Sequence, residues 1–266
     1  MIDHRKFNFM MHCGAEVISR EDLGKLICPE ADETTGWTPI PHHNYVDQIE
    51  DCLSVQGLRV ANQGHAITHN RNRGDMGDRY FGFLQLEGGN GRCEVVGLRN
   101  SHDRTFAASL VMGMGVFVCD NLSFSGEIKI SRKHTRYIRR DLPNLAARAV
   151  ARLGEVRNFQ EHRVELYQGN EVDRKDVHDL VMQSFRTRAL PSSQIGHVID
   201  AYEAQPEHED YAEAFGDRTA WSLFNAFTEV YKNRVNPHVL SQRTQLLHGV
   251  FDNYLGVSKP TTAVEV

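Results

Sequence analysis

The hydrophobic period of this chain changes at Pro143, and that change limits the folds open to it more than any other feature. Before Pro143, apolar residues mostly come in short runs bounded by glycine and polar clusters; after it, they recur every three or four residues. Short alternating runs fit strands with one buried face, and three-to-four spacing fits helices that bury one stripe. Strands gathered in one half and helices in the other describe an α+β fold, since an α/β chain would interleave them. The expectation is one domain over residues 1–256: an antiparallel, hairpin-rich sheet within 1–143, packed by helices from 144–256, with a loose tail at 257–266.

Trp37 and the Pro39–His43 segment read as extended, because proline disfavours helix in the residue before it. Asn44 reads as the cap of a helix carrying Val46, Ile49 and Leu53 and ended by Gly57. Leu58–Val60 and Ala66–Thr68 look like strand pieces around Gly64, and Asn70–Asp78 like a polar loop. Tyr80–Glu87 and Cys93–Leu98 form the clearest hairpin, turning at Gly88-Gly89-Asn90-Gly91. Thr105–Met112 and Val116–Cys119 read as another pair around Gly113 and Gly115, and Ile128 and Ile130 as a half-exposed strand. Beyond Pro143, one face carries Leu145, Ala149, Leu153, Val156 and Phe159. Further helices follow, one capped by Asp173 with Val177, Leu180, Val181 and Met182, and one capped by Ser192 or Ser193 with Ile195, Val198, Ile199 and Tyr202. The last two span Thr219–Asn233 and Pro237–Leu255, the second stopped by Gly256.

A formal net charge of −5 excludes a protein that holds polyanions by bulk charge, so the distribution of charge decides the question. The five cysteines, Cys13, Cys28, Cys52, Cys93 and Cys119, are odd in number and none pairs at CxxC spacing, which reads as reduced cytosolic thiols. The longest apolar run, Phe106–Cys119, is broken by two glycines, and the N-terminus has no adequate signal-peptide core. A cytoplasmic protein with no membrane contact is expected.

The sharpest charge feature lies between Glu127 and Asp141, where no acidic residue occurs but Lys129, Arg132, Lys133, Arg136, Arg139 and Arg140 all fall, with Tyr137 among them. Arg148, Arg152 and Arg157 continue the bias, while Asp200, Glu203, Glu207, Glu209, Asp210 and Glu213 gather acid elsewhere. Such a polarised chain suits a nucleic-acid groove, with Tyr137 placed to stack on a base. A solvated charged surface, or a subunit contact with the acidic segment, explains the same pattern about as well.

Chemistry-bearing residues are sparse. His102, Asp103 and His134 would form an acid/base or metal set if the fold gathered them, but Asn100, Ser101 and Asp103 are equally the residues of a tight turn bonded to its own backbone, the stronger reading. His65 and His69 share a strand face without a third ligand. Cys119 follows Val116-Phe117-Val118 and reads as a buried thiol. Gly113-x-Gly115 is a fragment of a dinucleotide fingerprint with Val118 at the third position, and no phosphate-binding loop, HExxH or GxSxG is present. Trp221, Phe224 and Phe227 have core spacing. No catalytic residue, metal or cofactor is assigned, and the chain reads as a binding protein before an enzyme.

Three motifs carry a resemblance. Asn100-Ser101-His102-Asp103, then Val118-Cys119-Asp120-Asn121-Leu122, then His134-Thr135 resemble the successive motifs of the phage/plasmid-like proteins of domain-of-unknown-function family 932. Those proteins typically show Asn-Ser-His-Asp-Gly, Arg-Val-Val-Cys-x-Asn-Thr and a later His-Thr. Thr219–Ala226 also resembles the family's C-terminal helix, so the likeness covers about Trp37 to Leu255. Arg104 stands where the family usually has glycine, and Ser123 where it usually has threonine. The resemblance implies a phage, prophage or plasmid setting, without an established reaction.

The functional expectation is a phage-type nucleic-acid-binding protein, single-stranded DNA favoured, acting in binding or annealing as a homo-oligomer. Lys129, Arg132, Lys133, Arg136, Arg139 and Arg140 would track phosphates, extended by Arg148 and Arg152. Six such contacts to a single strand give a log–log salt slope of about −4. One alternative is a phage factor that blocks a host defence complex through the acidic segment. A second is a metal-dependent enzyme centred on His102, Asp103 and His134.

Overall fold

The computed structural model of the chain describes residues 16–69, 79–87, 92–116, 121–207, 218–235 and 237–258. Six strands, β1 (Glu16–Val17), β2 (Val60–Thr68), β3 (Arg79–Leu86), β4 (Arg92–Ser101), β5 (Ala108–Val116) and β6 (Asn121–Arg132), form one antiparallel sheet in chain order. Helices α1 (Arg20–Lys25) and α2 (His42–Val55) lie between β1 and β2; α3 (Ile138–Ala151), α4 (Leu153–Gly169), α5 (Arg174–Arg186), α6 (Ile195–Ala204), α7 (Ala220–Arg234) and α8 (Pro237–Leu255) follow the sheet. The α+β arrangement expected from the period change is therefore the one observed.

Alternation decides which side chains meet the helices. Tyr80, Leu84 and Leu86, Val96 and Leu98, Ala108, Leu110 and Met112, and Ile128 and Ile130 share one face and pack with Val46, Ile49 and Leu53 of α2 and Ile138, Leu142 and Leu145 of α3. On β3 the opposite face is buried as well, through Phe81 and Phe83, which is why this strand reads as a continuous apolar run. Phe83 lies across β2 at Gly64, where a Cβ would come within 2.2 Å of its ring. The two strand pieces read around Gly64 are thus one strand, with the glycine making room for the ring.

A second cluster joins Val164 and Tyr167 of α4 to residues of α5 through α8, including Trp221, Phe224, Phe227, Tyr231 and Phe251. Helix α4 links the two clusters, since its first turns bury Leu153 and Val156 against the sheet-side core. At the centre of the second cluster, Arg163 Nη2 donates to Asp252 Oδ2 at 2.9 Å and the Tyr167 hydroxyl donates to Asp252 Oδ1 at 2.8 Å. Both α7 and α8 also lie against β6. Among the described residues, no helix is long and apolar enough to cross a membrane.

Several boundaries differ from the sequence reading. Helix α2 begins at His42, because the Pro41 carbonyl already accepts the Tyr45 N–H at 3.1 Å, so Asn44 lies inside the helix. Helix α3 begins at Ile138, its first turn closed by the Tyr137 carbonyl receiving the Asp141 N–H, which leaves Pro143 within the helix. Strand β5 runs through Gly113 and Gly115 and pairs with β6 from Asn121 on, with a register shift between Val111 and Gly113, so the expected turn there is a bulge in one strand. A short 3-10 turn, Ser192–Gln194, precedes α6, and neither serine caps it. Asp173 and Thr219 do cap α5 and α7. Met182 is 43% exposed rather than core. The loop Asn70–Asp78, the hairpin tip Gly88–Gly91 and Cys119 lie outside the described residues.

Candidate nucleic-acid interface

The segment Trp37-Thr38-Pro39-Ile40-Pro41 acts as a strap between two parts of the molecule distant in sequence. Its prolines hold it extended and leave the Thr38 and Ile40 carbonyls outside any helix. At one end, Trp37 bridges Thr135. There the Thr38 N–H also donates to the His134 carbonyl at 3.2 Å, and His134 Nδ1 returns to the Thr38 carbonyl at 3.3 Å. At the other end the Ile40 carbonyl accepts from Asn100 Nδ2 and from His102 Nε2, each at 2.8 Å.

Every side chain of the Asn100–Asp103 motif has a partner. The Asn100 amide gives its second hydrogen to His42 Nδ1 at 2.9 Å, which makes His42 a neutral acceptor at that nitrogen. The His42 ring stacks on His102. Ser101 Oγ donates to the Phe106 carbonyl at 2.8 Å and accepts the Phe106 N–H at 3.2 Å, stapling the loop between β4 and β5. Asp103 accepts from the Thr105 N–H at 3.1 Å and from Arg79 Nε at 2.8 Å. Burial alone would raise the Asp103 pKa, but these bonds outweigh it and hold the carboxyl below its ordinary value.

The turn reading thus holds for Ser101 and Asp103, whereas Asn100 and His102 reach across to the strap. His102 and His134 do come together, on strap carbonyls two residues apart, while Asp103 turns away to Arg79. Burial drives His134 down to about 4, the Thr38 bond opposing and His102 adding to the shift. Among the described residues no group of three His, Cys, Asp or Glu is arranged to hold a metal ion.

Arg104 has φ +65°, in the left-handed region where a side chain is disfavoured, which accounts for glycine at this place in the family's motif. Its guanidinium lies 4.6 Å over the Trp37 ring and bonds Asp32 Oδ2 at 2.7 Å. The bond from Arg104, with two from Thr35, holds the Asp32 carboxyl far below the usual range.

The strap meets the basic segment where β6 passes into α3. Lys133, Arg136, Tyr137, Arg139 and Arg140 are all exposed there. Tyr137, the residue preceding α3, is 49% exposed, with the Arg140 guanidinium 4.7 Å and the Arg136 guanidinium 5.8 Å from its ring centre. Arg140, Arg148 and Arg152 fall at four- and eight-residue steps along the solvent side of α3, Arg152 partly buried and engaged. Lys129 is exposed on the sheet face opposite Ile128 and Ile130. Arg132 is on the core side and held by Asp141 at 2.5 Å; Asp141 also accepts Arg140 Nε at 2.8 Å. Arg157 is bound to Glu94 of β4. Lys129, Lys133, Arg136, Arg139 and Arg148 form no ion pair among the described residues.

Of the acidic segment, Asp200 and Glu203 are exposed on α6, while Glu209, Asp210 and Glu213 lie outside the described residues. Asn121 opens β6. Sequence reasoning missed Trp37, His42 and Arg104 as parts of this region. Only the proline pattern marked the strap as extended, and no local signal told what it would touch.

No curated protein and no solved structure matches the chain. A family profile described as "Domain of unknown function (DUF932)" matches residues 33–250, a span that holds the strap, the motif, the basic surface and most of the helical half. On that match, the chain belongs to the DUF932 family.

Proposed function

We propose that this protein binds nucleic acid, with single-stranded DNA the favoured ligand, along the β6–α3 junction and the solvent side of α3. The observation that carries the reading is Tyr137, an aromatic ring half exposed near two guanidiniums, with the exposed Lys133 and Arg139 close to it in the chain. Cations that track phosphates next to a ring that takes a base are what single-strand binding requires. Four cations that form no ion pair among the described residues, Lys133, Arg136, Arg139 and Arg148, support a log–log salt slope of about −2.8 on a single strand, Lys129 lying on the other face of the sheet. The resemblance to phage and plasmid-like proteins fits such a ligand, since mobile elements pass through single-stranded intermediates.

The test is a salt titration of binding to single- and double-stranded DNA, repeated on Lys133→Glu/Arg136→Glu/Arg139→Glu. Binding that tightens as salt falls and is lost in the triple variant supports the reading. A flat salt response, or a variant that binds like the parent, removes it.

A further inference from the structure

We infer that the strap and the first turn of α3 form a stacking ladder that makes this surface selective for an unpaired strand, an inference that rests on the nucleic-acid reading above. Arg104 lies 4.6 Å over the Trp37 ring. Gly36, next to Trp37, faces Arg136, whose Nε lies 3.9 Å from where a Cβ would stand. Arg136 and Arg140 lie 5.8 and 4.7 Å from the centre of the Tyr137 ring. Guanidinium–ring pairs therefore stand at both ends, Arg104 on Trp37 where the β4–β5 loop meets the strap and Arg140 on Tyr137 at α3, with Arg136 lying beside Gly36 between them.

At one end Arg104 is paired with Asp32, and at the other Arg140 shares Asp141 with Arg132. Both offer flat faces with part of their charge neutralised, while Lys133 and Arg139 alongside supply charge for phosphates. Rings and guanidinium planes stack on any base that is not already stacked in a duplex. Attraction to any polyanion then resides in the lysines and arginines, and preference for an unpaired strand resides in Tyr137 and Trp37.

The chain has two tryptophans, and Trp221 is 1% exposed in the helical core, so a change of indole emission on binding reports on Trp37. The full chain is titrated with oligo(dT), with the oligo(dA)·oligo(dT) duplex of equal length, and with inorganic polyphosphate. Oligo(dT) is expected to quench the indole emission and to bind about tenfold tighter than the duplex, and polyphosphate to bind without quenching. Tyr137→Ala is expected to weaken oligo(dT) by about five- to 150-fold, the effect of one stacked base, with polyphosphate affinity unchanged. Trp37→Phe, which keeps a ring in the strap, is expected to remove the quench and retain binding. Equal quenching by all three probes, or an equal effect of Tyr137→Ala on all three, overturns the ladder and leaves the nucleic-acid reading standing. No binding by any probe overturns both.

Discussion

The rings of His42 and His102 lie face to face, 3.8 Å between centroids and 7° from parallel, both buried under the strap. Two histidines stack this way without repulsion only while at most one is charged, and the Asn100 bond to His42 Nδ1 favours the neutral form. The row extends through Tyr80, 5.4 Å from His42, to His65, which bonds the Tyr80 hydroxyl at 2.9 Å. A polar seam thus runs beneath β2, β3 and β4 to the base of the proposed binding surface.

Acid should therefore unfold this protein earlier than its carboxylates alone would. Burial lowers both His65 and His134 to about 4, against about 6.5 in an unfolded chain. Between those values the unfolded state holds more protons, so stability rises with pH across that window and is lost on acidification from about 6.5 down to 4. Each unit of difference is worth about 1.4 kcal/mol, and the two groups together account for several. Urea midpoints measured in steps from pH 7 to pH 4.5 should fall steadily, and His65→Gln should flatten the slope. A midpoint that stays level over this range contradicts the burial of neutral histidines.

Asn100 is the residue on which the strap depends most. Its amide donates to Ile40 and His42, and it is fully buried. Asn100→Asp replaces that donor group with a second oxygen facing a carbonyl, and we expect a loss of about 3 kcal/mol or more. Asn100→Ala should cost less, about 2 kcal/mol, since it removes the bonds without adding an opposed charge. Equilibrium urea unfolding ranks the two; the reverse order would mean that the amide does not hold the strap.

How much of this was legible in the sequence depends on the range of each interaction. Leu145 and Ala149 on one helix face, or Ile128 and Ile130 on one strand face, are local patterns and read correctly. So did Tyr80–Glu87 returning as Cys93–Leu98, because hairpin pairing is set by a nearby turn. The start of α3 did not, because the change of period set it after Pro143, while the bond from the Asp141 N–H to the Tyr137 carbonyl closes a turn before that residue. The strap was invisible for another reason: Ile40 meets Asn100 and His102 across some sixty residues, |i−j| = 60 and 62, and no spacing rule reaches that far. Arg132 looked like its neighbours in a basic run, but strand alternation turns it inward to Asp141 while Lys133 faces solvent.

Arg104 allows the backbone and the side chain to be weighed separately. Its φ of +65° costs a non-glycine residue about 1 kcal/mol, and its guanidinium returns part of that through Trp37 and Asp32. Arg104→Gly relieves the backbone while losing the side chain, so stability should stay within about 1 kcal/mol of the parent. Arg104→Ala keeps the strain and loses the contacts, and should be less stable than Arg104→Gly by about 1 kcal/mol. Thermal unfolding of the pair settles it, and equal stability would mean that the turn tolerates a side chain there without strain.

Asp141 sets how much of the basic surface is available to a ligand. Its two carboxylate oxygens hold Arg132 at 2.5 Å and Arg140 at 2.8 Å, so one acid occupies two cations beside Tyr137. Arg140 is largely exposed and reorients freely once released, whereas Arg132 is two-thirds covered and does not, its side chain being 32% exposed. Asp141→Asn should therefore free about one cation for phosphate and make the single-strand salt slope steeper by about 0.7. The same change removes a negative charge from the first turn of α3, where the helix dipole favours one, and so lowers stability slightly. Tighter binding from a slightly less stable protein is a combination that general loosening of the fold would not produce. Weaker binding, with the slope unchanged, would mean that Asp141 orders Arg140 for the ligand instead of competing with it.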